Sequence, residues 1–154
     1  MLKYESTLVT FTEVPDEIAL CFNITGCPCL CKGCFEPWLR EDIGKELSLE
    51  NVKAEIAKHP HISCICFLGG DRDHNYLGTL IRSLKDLFSD KKFAMYSGFS
   101  DFDENLGKLL DYYKIGPFIP ERGPLNSRNT NQVFLRKENG IWSDITYRFQ
   151  REKE

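Results

Sequence analysis

The chain has 154 residues, 42% of them hydrophobic and 28% charged, with a formal net charge of −3. That length argues for a single domain over residues 1–154, large enough to bury a real core. The slight acidity disfavours nucleic acid or an anionic membrane as the main partner, and no apolar stretch approaches the ~20 residues that span a bilayer. The N-terminal segment carries charges where a signal peptide needs an apolar run.

Taken in chain order, strand-like and helix-like segments alternate. Residues 18–24 (IALCFNI) form a short apolar run, as expected of a buried strand. A loop rich in cysteine and glycine follows, from Thr25 to about Pro37. Ser48 then reads as the N-cap of a helix with Leu49, Val52 and Ile56 on one face, stopped by Pro60. Residues 62–68 (ISCICFL) give a second buried strand, ended by Gly69-Gly70. The spacing of Leu77, Leu80, Ile81, Leu84, Leu87 and Phe88 predicts a helix over 75–88. Residues 93–96 give a third strand, closed by Ser97-Gly98.

Asp101, with Glu104 three residues later, reads as the cap of a further helix burying Phe102, Leu106, Leu109 and Leu110. Residues 112–115 form a fourth strand before Gly116-Pro117, and 120–131 a long polar loop. Residues 133–135 and the alternating Ile145, Tyr147 and Phe149 suggest late strands, and 150–154 a frayed tail. This alternation predicts an α/β fold with a mainly parallel sheet, open or a partial (βα) barrel, because the chain is too short for a full eightfold barrel. Ligands of such sheets sit beyond the carboxyl ends of the strands. The segments 27–34, 69–71 and 97–98 all follow strands and are expected on one edge.

Seven cysteines are the anomaly, and four of them fall between Cys27 and Cys34. A secreted disulfide scaffold spreads an even number along a small chain, so a reducing, cytoplasmic setting with a thiolate metal site is the better reading. Thiolates select zinc or iron–sulfur clusters. Cys27, Cys31 and Cys34, spaced Cys-x₃-Cys-x₂-Cys, can ligate three corners of a [4Fe–4S] cubane and leave the fourth iron open. The alternative is zinc on Cys27, Cys29, Cys31 and Cys34, a cramped tetrahedron for one short loop. Gly69, Gly70 and Asp71 either let backbone carbonyls and a carboxylate meet a ligand's ammonium group or form an ordinary turn. Ser97 stands against the same plain-turn alternative. Arg128, in the polar loop, either pairs with a carboxylate or is a solvated surface residue. Cys21, Cys64 and Cys66 lie in strand runs and read as buried hydrophobes, while His59, His61 and His74 show no ligand spacing.

The three-cysteine loop after the first strand resembles that of the radical S-adenosylmethionine (SAM) enzymes. More narrowly, the chain is similar to the anaerobic ribonucleotide reductase activating proteins. The resemblance rests on 20–34, Phe67-Leu68-Gly69-Gly70-Asp71, Met95-Tyr96-Ser97-Gly98 and Ser127-Arg128-Asn129-Thr130-Asn131-Gln132. It implies a minimal radical SAM fold in which Cys27, Cys31 and Cys34 hold the cluster. Gly33 and Phe35 would lie near the adenine, and Gly69, Gly70, Asp71, Ser97 and Arg128 would contact SAM. The implied reaction is reductive cleavage of SAM to a 5′-deoxyadenosyl radical, with flavodoxin or ferredoxin as the external one-electron reductant. That radical would make a glycyl radical on the large subunit of anaerobic ribonucleotide reductase.

Two departures stand out: Gly33 precedes the third cysteine where many members have an aromatic residue, and Arg72 replaces the usual proline after the Gly-Gly-acid element. The rival readings are another radical SAM enzyme, acting on a different glycyl-radical protein or a deazapurine precursor, and a non-catalytic zinc-binding interaction module.

Overall fold

The computed structural model describes residues 1–26 and 43–150. Eight strands among the described residues form one sheet. They are β1 (Lys3–Thr10), β2 (Ala19–Ile24), β3 (Lys45–Glu46), β4 (Cys64–Leu68), β5 (Lys92–Tyr96), β6 (Tyr112–Ile115), β7 (Val133–Glu138) and β8 (Ile141–Asp144). Their order is β3-β1-β2-β4-β5-β6-β7-β8. The central strands β2, β4, β5 and β6 are parallel, and the flanking pairings are antiparallel. The sheet is therefore mixed, with a parallel centre.

Strand alternation sends successive side chains to opposite faces, and the two faces are built differently. One carries Leu20, Phe22, Ile65, Phe67, Phe93, Met95 and Tyr113. It packs on Val52 and Ile56 of α1 (Leu49–Ala57), on Leu77, Ile81 and Leu84 of α2 (His74–Leu87), and on Leu106 of α3 (Glu104–Gly107). The other face carries the small side chains of Ala19, Cys21, Cys64, Cys66 and Ala94 and the larger Tyr112 and Phe134, with Val14, Leu125 and Ile145 packed over them. The three cysteines are fully buried and free, as their place in apolar runs predicts. Burial pushes the Cys64 and Cys66 thiols up, so they stay protonated and inert.

Local signals explain most elements. The Ser48 side chain accepts from the Asn51 N–H and starts α1 as expected. Asp73 caps α2 in the same way, accepting from the Tyr76 N–H, so this helix begins one residue earlier than its apolar stripe indicates. The cap of α3 is Asp103 rather than Asp101: its carboxylate accepts from the Asn105 and Leu106 N–H groups. Phe102 consequently precedes the helix, with its ring against Tyr113 and Trp142.

The expected strand through Ile145, Tyr147 and Phe149 is a 3₁₀ turn over Thr146–Phe149. There Ile145 is buried and Phe149 meets Phe134 at 4.9 Å, while Tyr147 is exposed. An alternating pattern of three residues fits a short turn as well as a strand. The hairpin β7–β8 turns at Asn139-Gly140, both with positive φ, the conformation this dipeptide adopts readily. The edge strand β1 and this hairpin carry sequence signals that periodicity along the central strands does not disclose. Gln150, placed in the frayed tail by the sequence, donates to the carbonyls of Leu125 and Ser127. Residues 151–154 lie outside the described residues.

Among the described residues no helix is long and apolar enough to cross a membrane. Phe67 is fully buried and stacks on Phe22 at 5.8 Å. Truncating it opens a cavity at the centre of the parallel sheet. Phe67→Ala should lower stability by about 3–5 kcal/mol, read from the urea midpoint at unchanged slope.

Candidate metal and ligand edge

The carboxyl ends of β2, β4 and β5 lie side by side, because Asn23 pairs with Leu68 and Leu68 with Tyr96 in parallel register. Chain leaving β2 passes through Thr25 and Gly26 and then enters the segment of Cys27, Cys29, Cys31, Gly33, Cys34 and Phe35. Those six residues lie outside the described residues. Thr25 is buried, its backbone N–H bonded to the Lys3 carbonyl and its hydroxyl to the Ile43 carbonyl. The point from which the cysteine segment departs is therefore fixed to the sheet.

Beyond β4 the chain turns at Gly69 and Gly70, with φ of 121° and 109°. Only glycine holds such angles without strain. A Cβ on Gly70 would stand 2.8 Å from Leu77, and one on Gly69 would press on Ile24 at 3.3 Å. Chain geometry and packing both demand glycine here. Arg72, which follows, lies against Gly26, its guanidinium 2.6 Å from where a Cβ on that glycine would be. Arg72 thus sits beside the entry to the cysteine segment.

Asp71 is the hub of this edge. Its side chain is 2% exposed. One carboxylate oxygen accepts from the Ser97 hydroxyl at 2.7 Å and faces His74 Nε2 at 2.8 Å. The other accepts from the Gly98 N–H at 2.7 Å. Burial pushes the Asp71 carboxyl upward, but the bonds from His74, Ser97 and Gly98 together outweigh it and hold the group below its ordinary value. The Ser97 hydroxyl, expected to approach a ligand, is turned to Asp71. His74 Nδ1 meets Asp103 at 2.8 Å, so the ring bridges two carboxylates. Hydrogen bonding to Asp71 raises the His74 pKa; burial opposes this, and Asp103 adds to it.

Further along the edge, the buried Lys114 ammonium donates to the carbonyls of Ser97 and Gly116, at 3.0 and 2.7 Å. It closes the ends of β5 and β6 as Asp71 closes those of β4 and β5. A cavity of about 440 Å³ opens on the small-residue face of the sheet, lined by Glu13, Tyr96, Lys114, Leu125, Asn126 and Gln132. The long loop covering it is tied to itself: Arg122 donates to the Asn129 carbonyl and Thr130 to that of Gly123. Arg128 is exposed on that loop.

The structure thus brings Gly69, Gly70, Asp71 and Ser97 together and leaves Arg128 on the outside of its loop. Sequence reasoning missed His74, Asp103 and Lys114. Asp71 lies in the turn before α2 and His74 opens that helix, so their closeness in sequence carries a weak signal. Asp103 and Lys114 are joined to the edge only through the fold.

A parallel-centred sheet thus brings glycine turns and a buried carboxylate to one edge, beside the end of the strand that leads into the cysteine-rich segment. The family model described as "4Fe-4S single cluster domain" matches residues 18–119, so the chain belongs to that family and is an iron–sulfur protein. No curated protein and no solved structure gives a significant match. The family favours iron–sulfur over the zinc alternative. Its matched span takes in the cysteine segment and the whole Asp71 edge.

The sign of the pH dependence follows from the two shifts. The contribution of Asp71 is present above its unfolded value near 3.8 and fades as pH falls through its lower folded value. That of His74 is complete below 6.5 and fades as pH rises through its higher folded value. Unfolding free energy measured against pH should therefore show a plateau between these limits and fall on both sides. Asp71→Asn should reduce the acid-side decline, leaving the part that Asp103 contributes through its own lowered value, and lower the plateau by about 1–3 kcal/mol.

Proposed function

We propose that the chain is a radical SAM enzyme of the glycyl-radical-activating kind, acting on the large subunit of anaerobic ribonucleotide reductase. Cys27, Cys31 and Cys34 would hold the cluster, leaving one iron for SAM. When bound, the cluster supplies the electron for reductive cleavage of SAM to methionine and a 5′-deoxyadenosyl radical. The donor set fits: three thiolates at short spacing suit a cubane with one open corner, and they begin one residue beyond Gly26.

The observation that carries the reading is the edge itself. Gly69-Gly70-Asp71 and Ser97-Gly98 end neighbouring parallel strands and are tied through Asp71, next to the strand that leads into the cysteines. The turn backbone at Gly69 and Gly70, free of side chains, supports close approach of a ligand's polar end. Gly33 and Phe35 would meet the adenine and Arg128 a carboxylate, of SAM or of the partner. The cavity beside Tyr96, Lys114 and Gln132, next to the ends of β5 and β6, has the size of a small-molecule site. The fold reading, a minimal partial barrel of the radical SAM type, is supported by the four parallel central strands and the helices on one face.

A protein substrate suits an open sheet, since the partner's glycine loop can complete an enclosure that excludes water. Flavodoxin or ferredoxin would serve as reductant in a cytoplasmic setting.

The test is product analysis on anaerobically reconstituted, reduced protein. Incubation with SAM should release 5′-deoxyadenosine and methionine in equal amounts, and addition of the reductase subunit should give a glycyl-radical resonance. Cys27→Ala, Cys31→Ala and Cys34→Ala should each lose most of the bound iron and all cleavage, while Cys29→Ala keeps both. A reconstituted protein that retains its iron and leaves SAM intact rules the proposal out.

A further inference from the structure

His74 is the residue at this edge that neither the cysteine motif nor the family match assigns. Both ring nitrogens face carboxylate oxygens at 2.8 Å, Nε2 that of Asp71 and Nδ1 that of Asp103. A neutral imidazole has one N–H, so it can serve only one of them and turns a lone pair on the other. An imidazolium serves both. The ring is mostly buried, with its side chain 18% exposed, and Phe99 packs against it at 5.6 Å.

Among the described residues no third carboxylate lies within hydrogen-bond distance of the ring. Asp71 comes from the turn after β4 and Asp103 from the cap of α3, while Phe99 follows β5. On its own helix, Asp73 is engaged by the Tyr76 N–H and lies 3.7 Å from the N-terminal amine. Arg82 is exposed along the groove between α2 and α3, and Arg72 is directed at Gly26.

We propose that His74, held as an imidazolium between Asp71 and Asp103, is a positioning residue whose charge sets the alignment of the Gly69–Asp71 and Ser97–Gly98 turns. The linkage runs through one carboxylate. Asp71 receives His74 on one side and the Ser97 hydroxyl and Gly98 N–H on the other. Loss of the proton from His74 leaves a ring nitrogen lone pair opposed to a carboxylate oxygen. Either Asp71 or Asp103 must then withdraw. Movement of Asp71 carries the Gly98 amide with it, whereas Asp103 is fixed by the α3 cap. On the radical SAM reading, on which this part of the inference rests, SAM affinity follows the charge on His74.

The experiment uses the full reconstituted chain and two measurements. NMR follows the His74 ring and the Gly98 amide against pH, and anaerobic calorimetry follows SAM binding over the same range. In the native protein the Gly98 amide should shift with the same midpoint as the His74 ring, and SAM affinity should fall across it by about tenfold, the worth of one charge-assisted hydrogen bond. His74→Gln should bind SAM about tenfold more weakly below that midpoint and show no step across it. Asp103→Asn, which leaves the Asp71 contact in place, should move both midpoints to lower pH together. A Gly98 amide that ignores the titration of His74, or a SAM profile unchanged in His74→Gln, overturns the inference. A native protein that binds no SAM at any pH refutes the functional reading instead, and the shared midpoint of His74 and Gly98 still decides the role of His74.

Discussion

A carboxylate taken almost wholly out of water has to be met by donors, and that requirement at Asp71 organises the carboxyl edge of the sheet. Among the described residues those donors include the His74 ring in the first turn of α2, the Ser97 hydroxyl and the Gly98 amide. Removing any one leaves a buried charge short of a partner, which costs more than the bond itself contributes. The turns after β4 and β5 are thereby tied together in a way strand pairing alone does not provide, since the ladder between them ends at Leu68 and Tyr96. Lys114 repeats the arrangement one strand further along with the opposite sign, its ammonium neutralising the carbonyl ends of β5 and β6.

The two faces of the sheet divide the work. Large aromatic and aliphatic side chains on the helix side supply the hydrophobic core. On the other side, alanine and cysteine keep the strands low, so that residues from the β1–β2 connection and the long loop can lie over them and still leave a cavity near Lys114 and Gln132. The small side chains of this face thus let the covering residues approach the strands closely.

Much of this was readable in the sequence, and the reasons differ by element. The parallel strands announced themselves as unbroken apolar runs, because both of their faces are covered. Ser48 and the glycine pair gave local signals with a direct physical cause, and both act as expected. The cysteine spacing identified the iron–sulfur character that the family match supports. What escaped was long-range: His74 and Asp103 are 29 positions apart and meet only when α2 and α3 pack together. The choice between Asp101 and Asp103 as cap was likewise decided by that contact and by the burial of Leu106, neither of which is visible in a capping pattern. The 3₁₀ turn after β8 shows the limit of short alternation, where three residues leave the period undetermined.

On the proposed reading, the thiolates hold a cluster with one iron available to SAM. Electron paramagnetic resonance on the anaerobically reconstituted and reduced protein, recorded with and without SAM, tests it most directly. A [4Fe–4S]⁺ signal whose g-values move when SAM is added is the predicted result. A protein that takes up zinc instead, or a cluster signal indifferent to SAM, would contradict the account.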